Sequence, residues 1–156
     1  MASLGDFIIR LCDIGFGTIE SVRRWLGRPN VRTISTDELR RHLAGGDQSL
    51  VLIDVRGQSE QAVSKIPGAI TQREYEADPA SFAHKKLVVY CTVGGRGYLY
   101  ARKLVAAGID AKNYRDGILR WCRAELPLET PDGRATNELN PHWRIFRVPE
   151  QYKVRV

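Results

Sequence analysis

The chain has 156 residues, enough for one ordinary domain with extensions. Hydrophobic residues make up 43% and charged residues 27%, which is typical of a globular protein and excludes wholesale disorder. The net charge of +6 favours anionic partners, but the basic residues are scattered and no zinc-finger or RNA-binding motif is present, so specific nucleic-acid recognition is not expected.

The three cysteines, Cys12, Cys91 and Cys122, are irregularly spaced along the chain. An odd, low count argues against a disulfide framework and favours a reducing compartment, so we predict a cytoplasmic protein. No Cys/His cluster has the spacing of a metal site. The N-terminal apolar stretch is interrupted by Asp6 and Arg10, which is unlike a signal peptide, and no run approaches the roughly 18–20 apolar residues that span a bilayer.

The pattern divides the chain into three parts: a helical arm at 1–30, a domain at 31–128 and a Pro-containing, irregular extension at 129–156. Apolar residues recur in the arm at helical spacing, namely Leu4, Phe7, Ile8, Leu11, Ile19, Val22 and Leu26. Gly15 and Gly17 are predicted to break the arm into two pieces. We expect the arm to pack on the domain or on a twin subunit in a homodimer. Its mixture of basic and apolar residues leaves peripheral membrane contact as the alternative.

The domain opens with a short β-prone segment, Arg32–Ile34, followed by a helix start signal. Ser35 and Glu38 have the spacing of a capping box, which predicts a helix over Thr36–Ala44 that Gly45 ends. The apolar run Leu50–Val55 then predicts a strand that is covered on both faces.

The second half of the domain continues this alternation of strands and helices. The predicted elements are a strand at Leu87–Cys91, a helix at Tyr98–Ala107, a strand at Ala111–Tyr114 and a helix at Gly117–Ala124. Strands that alternate with helices predict an α/β fold with a mostly parallel sheet. Ligands bind beyond the carboxyl ends of the strands in such sheets, and Cys91 lies at one of these ends.

The segment after the Leu87–Cys91 strand is the strongest candidate for chemistry. Gly94, Gly95 and Gly97 allow the backbone to curl tightly ahead of a helix, so that several N–H groups point at one anion-binding centre. Arg96 adds a permanent positive charge. Helix N-termini and nearby cations stabilise thiolates, so this loop is expected to favour the nucleophilic form of Cys91.

Several separated motifs within 31–128 together resemble the rhodanese family. They are Asp54-Val55-Arg56 with Glu60, Ile66-Pro67-Gly68-Ala69-Ile70, Val88-Val89-Tyr90-Cys91 with Gly94 and Arg96, and Asp116-Gly117 with Trp121 and Pro127. The resemblance implies a rhodanese-like α/β domain whose central sheet carries helices on both faces. The chain departs from the family pattern at Ser64-Lys65, at Gly97, where a Ser or Thr is frequent, and at Asp116.

The resemblance also implies a role for each residue of the loop. Cys91 would be the nucleophile of a thiosulfate sulfurtransferase, carrying a sulfane sulfur as a persulfide without a metal or organic cofactor. The active-site loop that binds the anionic donor would comprise Thr92, Val93, Gly94, Gly95, Arg96 and Gly97. Cys91 to Arg96 is one residue shorter than the Cys-x5-Arg loop of phosphatases, which implies sulfur transfer rather than phosphate hydrolysis.

The remaining residues and the alternative function complete the predictions. Asp54, Arg56 and Glu60 would support the site, with Arg56 paired to Glu60. The donor would be a small anion such as thiosulfate, and the acceptor a thiol, a protein or cyanide. A binding or redox-sensing module without turnover is the alternative function. Outside the loop, Cys12 is predicted to be a small apolar residue on the arm, with palmitoylation or dimer cross-linking as the alternatives. Cys122 is predicted to be a core residue, with a resolving thiol as the alternative. The histidines His42, His84 and His142 are placed at the surface, and Trp143 and Phe146 are expected to dock on the domain or to mark a partner surface.

Overall fold

The computed structural model describes residues 4–156. Its helices are α1 (Leu4–Trp25), α2 (Thr36–Ala44), α3 (Gln58–Gln61), α4 (Gln72–Ala77), α5 (Gly95–Ala106) and α6 (Gly117–Arg123), with a 3₁₀ turn at Pro79–Phe82. Its strands are β1 (Arg32–Thr33), β2 (Leu50–Asp54), β3 (Ile70–Thr71), β4 (Lys86–Tyr90), β5 (Ala111–Asn113), β6 (Leu128–Glu129), β7 (Ala135–Thr136), β8 (Glu138–Leu139) and β9 (Lys153–Val154). The first five strands form a parallel sheet in the order β1-β5-β4-β2-β3, which confirms the predicted α/β class.

The sheet is buried on both faces because successive strand residues point in opposite directions. Leu52 and Val88 pack into one cluster with residues of α2 and α6. Their neighbours Ile53 and Val89 pack into a second cluster with residues of α4 and α5. Continuous apolar runs such as β2 and β4 are what a doubly covered parallel sheet requires.

The sheet topology brings two strand ends to the same edge. β2 and β4 are paired in register along their length, so that Asp54 lies opposite Tyr90 at the last position of each strand. The residues that follow, Val55 and Cys91, therefore leave the sheet side by side. This edge is where parallel α/β sheets place their ligands.

The helix predicted at Thr36–Ala44 is confirmed as α2. Ser35 caps it as expected, since the Ser35 hydroxyl accepts a hydrogen bond from the Glu38 N–H at 3.2 Å. The Glu38 carboxylate, however, accepts a hydrogen bond from Lys112 of β5 at 3.2 Å. The Glu38 side chain therefore forms this long-range ion pair instead of accepting the hydrogen bond from the Ser35 N–H that would complete a capping box.

The arm differs from its prediction in two respects. α1 is one continuous helix through Gly15 and Gly17, although each glycine costs about 1 kcal/mol relative to alanine. The predicted apolar face points largely to solvent: the side chains that are more than half exposed include Leu4, Phe7, Leu11, Val22 and Leu26. A neighbouring face, with Ile9 and Phe16, packs on the domain instead.

The extension after α6 contains more regular structure than the irregular segment that was expected. β6 and β7 pair antiparallel, and β8 pairs with β9 in parallel. These two-residue strands carry too little pattern to be recognised in a sequence. None of the helices within residues 4–156 is long and apolar enough to span a bilayer.

Candidate active site

Cys91 occupies the first position after β4, and its side chain is 1% exposed. The Cys91 Sγ accepts a hydrogen bond from the Gly94 N–H at 3.2 Å. Gly94 is the N-terminal cap of α5, so the sulfur lies beside the first turn of that helix. The positive end of the helix and a backbone donor therefore both act on this sulfur.

Glycine is required at two positions of the loop for different reasons. Gly94 has φ +91°, and a Cβ there would lie 2.2 Å from the carbonyl oxygen of Arg115. A Cβ on Gly97 would lie 2.6 Å from Asn113 Oδ1 and 3.4 Å from the Tyr90 backbone. Gly97 stands where the family frequently has Ser or Thr, and at this position Asn113 approaches the backbone closely. The Asn113 Nδ2 donates to the Gly94 carbonyl at 3.3 Å.

The outer side of the loop is fixed by the start of α6. The N–H of Ile118 donates to the Cys91 carbonyl at 2.9 Å, and the N–H of Leu119 donates to the Thr92 carbonyl at 3.2 Å. With the carbonyls of Cys91 and Thr92 turned toward α6, the start of the loop is held in the curl that lets the Gly94 N–H reach the sulfur.

Glu60 connects the loop to the neighbouring strand end. Its carboxylate accepts hydrogen bonds from Arg96 Nη1 at 2.7 Å and Arg96 Nη2 at 2.8 Å, from Thr92 Oγ1 at 2.8 Å and from the Gly57 N–H at 2.9 Å. Burial opposes ionisation, but these donors together lower the pKa of Glu60 to about 2. The charge of Arg96 is therefore balanced by a partner that is ionised at neutral pH.

The predicted pairing of Arg56 with Glu60 is wrong. The Arg56 guanidinium instead holds Asp54, with Nη2 2.7 Å from Oδ2 and Nε 3.0 Å from Oδ1. The Arg56 N–H also donates to Asp54 Oδ1 at 2.9 Å, so the tight turn after β2 selects the nearer carboxylate. Tyr90, whose hydroxyl donates to Asp54 Oδ2 at 2.7 Å, joins this buried pair to β4.

A cavity of about 300 Å³ lies over Cys91, and half of its lining residues come from outside the loop. The lining residues are Ile8, Cys12, Cys91, Thr92, Val93, Gly95, Arg96, His142, Trp143 and Phe146. The ring of Phe146 is buried and its centroid lies 5.8 Å from that of Trp143. Sequence reasoning expected Trp143 and Phe146 to dock on the domain or a partner, but assigned neither them nor Cys12 to the site. No local pattern brings these distant segments together.

His142, predicted to be a surface residue, stands at the rim of this cavity. Its side chain is 46% exposed, and its Nδ1 lies 3.6 Å from Glu60 Oε2. His142 adopts a positive φ of 72°, which is uncommon for a residue with a side chain.

The other cysteines occupy different environments. Cys122 is fully buried in the cluster on the opposite face of the sheet from Cys91, as the predicted core role requires, and burial raises its pKa to about 12. Cys12 is partly exposed and faces the cavity. Within residues 4–156 there is no group of three or more His, Cys, Asp or Glu side chains arranged to hold a metal ion.

Comparisons with known proteins identify relatives of this chain. The sequence model of the rhodanese-like domain matches residues 35–124. A sulfurtransferase from Allochromatium vinosum is 31% identical over 108 residues, which cover 66% of this chain and 99% of that protein.

Solved structures share the fold. A thiosulfate sulfurtransferase from Pseudomonas aeruginosa has a TM-score of 0.60 at 23% identity, over 76% of this chain and 23% of that protein. A Rhodopseudomonas palustris protein of unknown function, described as a possible tyrosine phosphatase, has a TM-score of 0.56 at 26% identity, over 64% of this chain and 85% of that protein.

Proposed function

The chain belongs to the rhodanese-like domain family, and from that membership we propose that it is a sulfurtransferase in which Cys91 carries a sulfane sulfur as a persulfide. The observation that carries the proposal is the placement of the Cys91 sulfur at the N-terminus of α5, where the Gly94 N–H donates to it. A hydrogen-bond donor at this place stabilises the Cys91 thiolate before it attacks a sulfur. The same donor stabilises the thiolate again when the sulfur is passed on and Cys91 is the leaving group.

The proposed cycle has two displacement steps. The Cys91 thiolate attacks the outer sulfur of a donor such as thiosulfate, the donor S–S bond breaks, and sulfite leaves with the electron pair. The product is a Cys91 persulfide whose negative charge lies in the same cradle of N–H groups. An acceptor thiolate or cyanide then attacks the outer sulfur and releases Cys91 as the thiolate, so the cycle requires no metal and no organic cofactor.

The donor preference follows from the charges around the cavity. Both terminal nitrogens of Arg96 are held by Glu60, so the guanidinium steadies the loop rather than offering an unpaired positive charge. Ile8, Val93 and Phe146 make the rest of the cavity largely apolar. We therefore expect an organic persulfide to load Cys91 faster than the thiosulfate dianion does.

Intact-mass spectrometry of the full chain tests this function. After incubation with thiosulfate or with an alkyl persulfide, the wild-type protein should gain one sulfur of about 32 Da, as nucleophilic catalysis requires, and cyanide should remove it. Cys91→Ser should gain nothing. Cys122→Ala, which changes a thiol on the opposite face of the sheet, should load like the wild type.

Failure to load from either donor would contradict the proposal. If peroxide then oxidised Cys91 stoichiometrically, the alternative of a redox-sensing module without turnover would be favoured. A phosphate-ester assay belongs in the same series, since the six-residue span from Cys91 to Arg96 predicts no phosphatase activity.

A further inference from the structure

The cavity over Cys91 contains a second thiol. Cys12 projects from α1 into the wall that faces the loop, and it is the one sulfur besides Cys91 among the described residues that line the cavity. The two thiols come from segments that are 79 positions apart in the sequence, so their presence in one cavity is a product of the fold.

Two contacts just C-terminal to Cys12 hold α1 in this place. Next to it, Asp13 forms an ion pair with Arg115 at 3.5 Å. One turn further along, the ring of Phe16 lies 4.8 Å from that of Tyr98 on α5. The inner face of α1 is thereby anchored directly after the position that lines the cavity.

The environment of Cys12 keeps its thiol protonated but leaves it partly exposed. Burial, the charge of Asp13 and the proximity of Cys91 all raise the pKa of Cys12, so it is protonated at neutral pH. It is nevertheless partly exposed, whereas Cys91 is almost completely buried. A sulfur that reached Cys12 would be closer to solvent and to an external acceptor.

We propose that Cys12 is the first acceptor of the sulfane sulfur, so that the cavity works as a two-thiol relay from the buried Cys91 to the partly exposed Cys12. The proposal rests on the proposed function of Cys91. The outer sulfur of a Cys91 persulfide would lie in the N–H cradle of the loop, which borders the cavity that Cys12 also lines.

The transfer step is balanced without an oxidant. The Cys12 thiol gives its proton to the outer sulfur of the Cys91 persulfide anion, and the resulting Cys12 thiolate attacks that sulfur. A Cys12 S–S bond forms while the Cys91 S–S bond breaks, and the electron pair stays on Cys91. The products are a Cys12 persulfide that carries the proton and a Cys91 thiolate beside the Gly94 N–H.

Peptide mapping can follow the sulfur, because trypsin places each cysteine in its own peptide: 11–23, 87–96 and 121–123. The full chain is loaded with an alkyl persulfide, alkylated rapidly and digested. In the wild type the extra sulfur should appear on peptides 11–23 and 87–96, and in Cys91→Ser on neither. In Cys12→Ala it should remain on 87–96, and its discharge to an external thiol should slow by about tenfold or more.

Three outcomes would overturn the relay. One is sulfur on 87–96 alone in the wild type, with Cys12→Ala discharging at the wild-type rate. Another is loading of 11–23 in Cys91→Ser, which would mean that Cys12 reacts directly with the donor. The third is a Cys12–Cys91 disulfide with release of hydrosulfide, which would place the attack on the inner sulfur.

Absence of any loading, in contrast, would refute the Cys91 function itself. Cys122→Ala is the matched control and should give the wild-type distribution.

Discussion

Replacing Glu60 by glutamine should destabilise the protein in a pH-dependent way. The carboxylate is 1% exposed and accepts hydrogen bonds from Arg96, Thr92 and the Gly57 N–H. Glutamine keeps the shape but removes the charge, which leaves the guanidinium of Arg96 without its counter-ion. This loss is costly because the partly buried guanidinium keeps its charge without compensation.

The magnitude follows from the pKa of Glu60, which falls from 4.5 to about 2 on folding. That lowering corresponds to about 3 kcal/mol in favour of the folded state. Arg96 is 40% exposed, and solvent screening reduces the expected loss to about 2 kcal/mol. A lowered pKa in the folded state means that the contribution is complete above pH 4.5 and disappears as the pH falls toward 2. By about pH 3 more than half of it should be gone.

Urea unfolding of both proteins at pH 7 and pH 3, followed by tryptophan fluorescence, measures this difference. Glu138→Gln is the matched control, since Glu138 pairs with the exposed Arg155 at the surface and its loss should cost less than about 1 kcal/mol. The reasoning fails if Glu60→Gln costs no more than the control at pH 7, or if its cost is the same at both pH values.

Three further substitutions test the loop and the cavity. Gly94→Ala should cost about 2–3 kcal/mol in thermal unfolding and abolish sulfur loading, because alanine resists the positive φ; unchanged loading would contradict this. Gly97→Ser introduces the hydroxyl that is frequent in the family. It should lower the free energy of unfolding by about 1–3 kcal/mol, because its Cβ would lie 2.6 Å from Asn113 Oδ1. Wild-type stability would show that the loop shifts to make room for the side chain. Trp143→Ala should open the cavity and speed alkylation of Cys91 by iodoacetamide several-fold. It should cost little stability, since the Trp143 side chain is half exposed. An unchanged alkylation rate would show that Trp143 does not limit access to Cys91.

The sequence alone determined the features that depend on neighbouring residues. The apolar runs that became β2 and β4, and the Ser35 cap before α2, follow from short-range patterns of burial and hydrogen bonding. The position of Cys91 after a buried strand and before a glycine-rich turn is a pattern of the same kind. The physical reason is that backbone conformation and strand burial are set largely by residues a few positions away.

Only the tertiary structure decided which distant groups meet. Glu60 has a guanidinium four positions before it in the chain, at Arg56, yet it pairs with Arg96, because the turn after β2 directs Arg56 to Asp54. α1 stays whole through its glycines because packing on the domain outweighs a weak local propensity. The cavity over Cys91 likewise takes Cys12 from the first helix and its opposite wall from the last 20 residues. Spacing in the sequence cannot reveal such contacts, since they depend on how complete elements pack against the sheet.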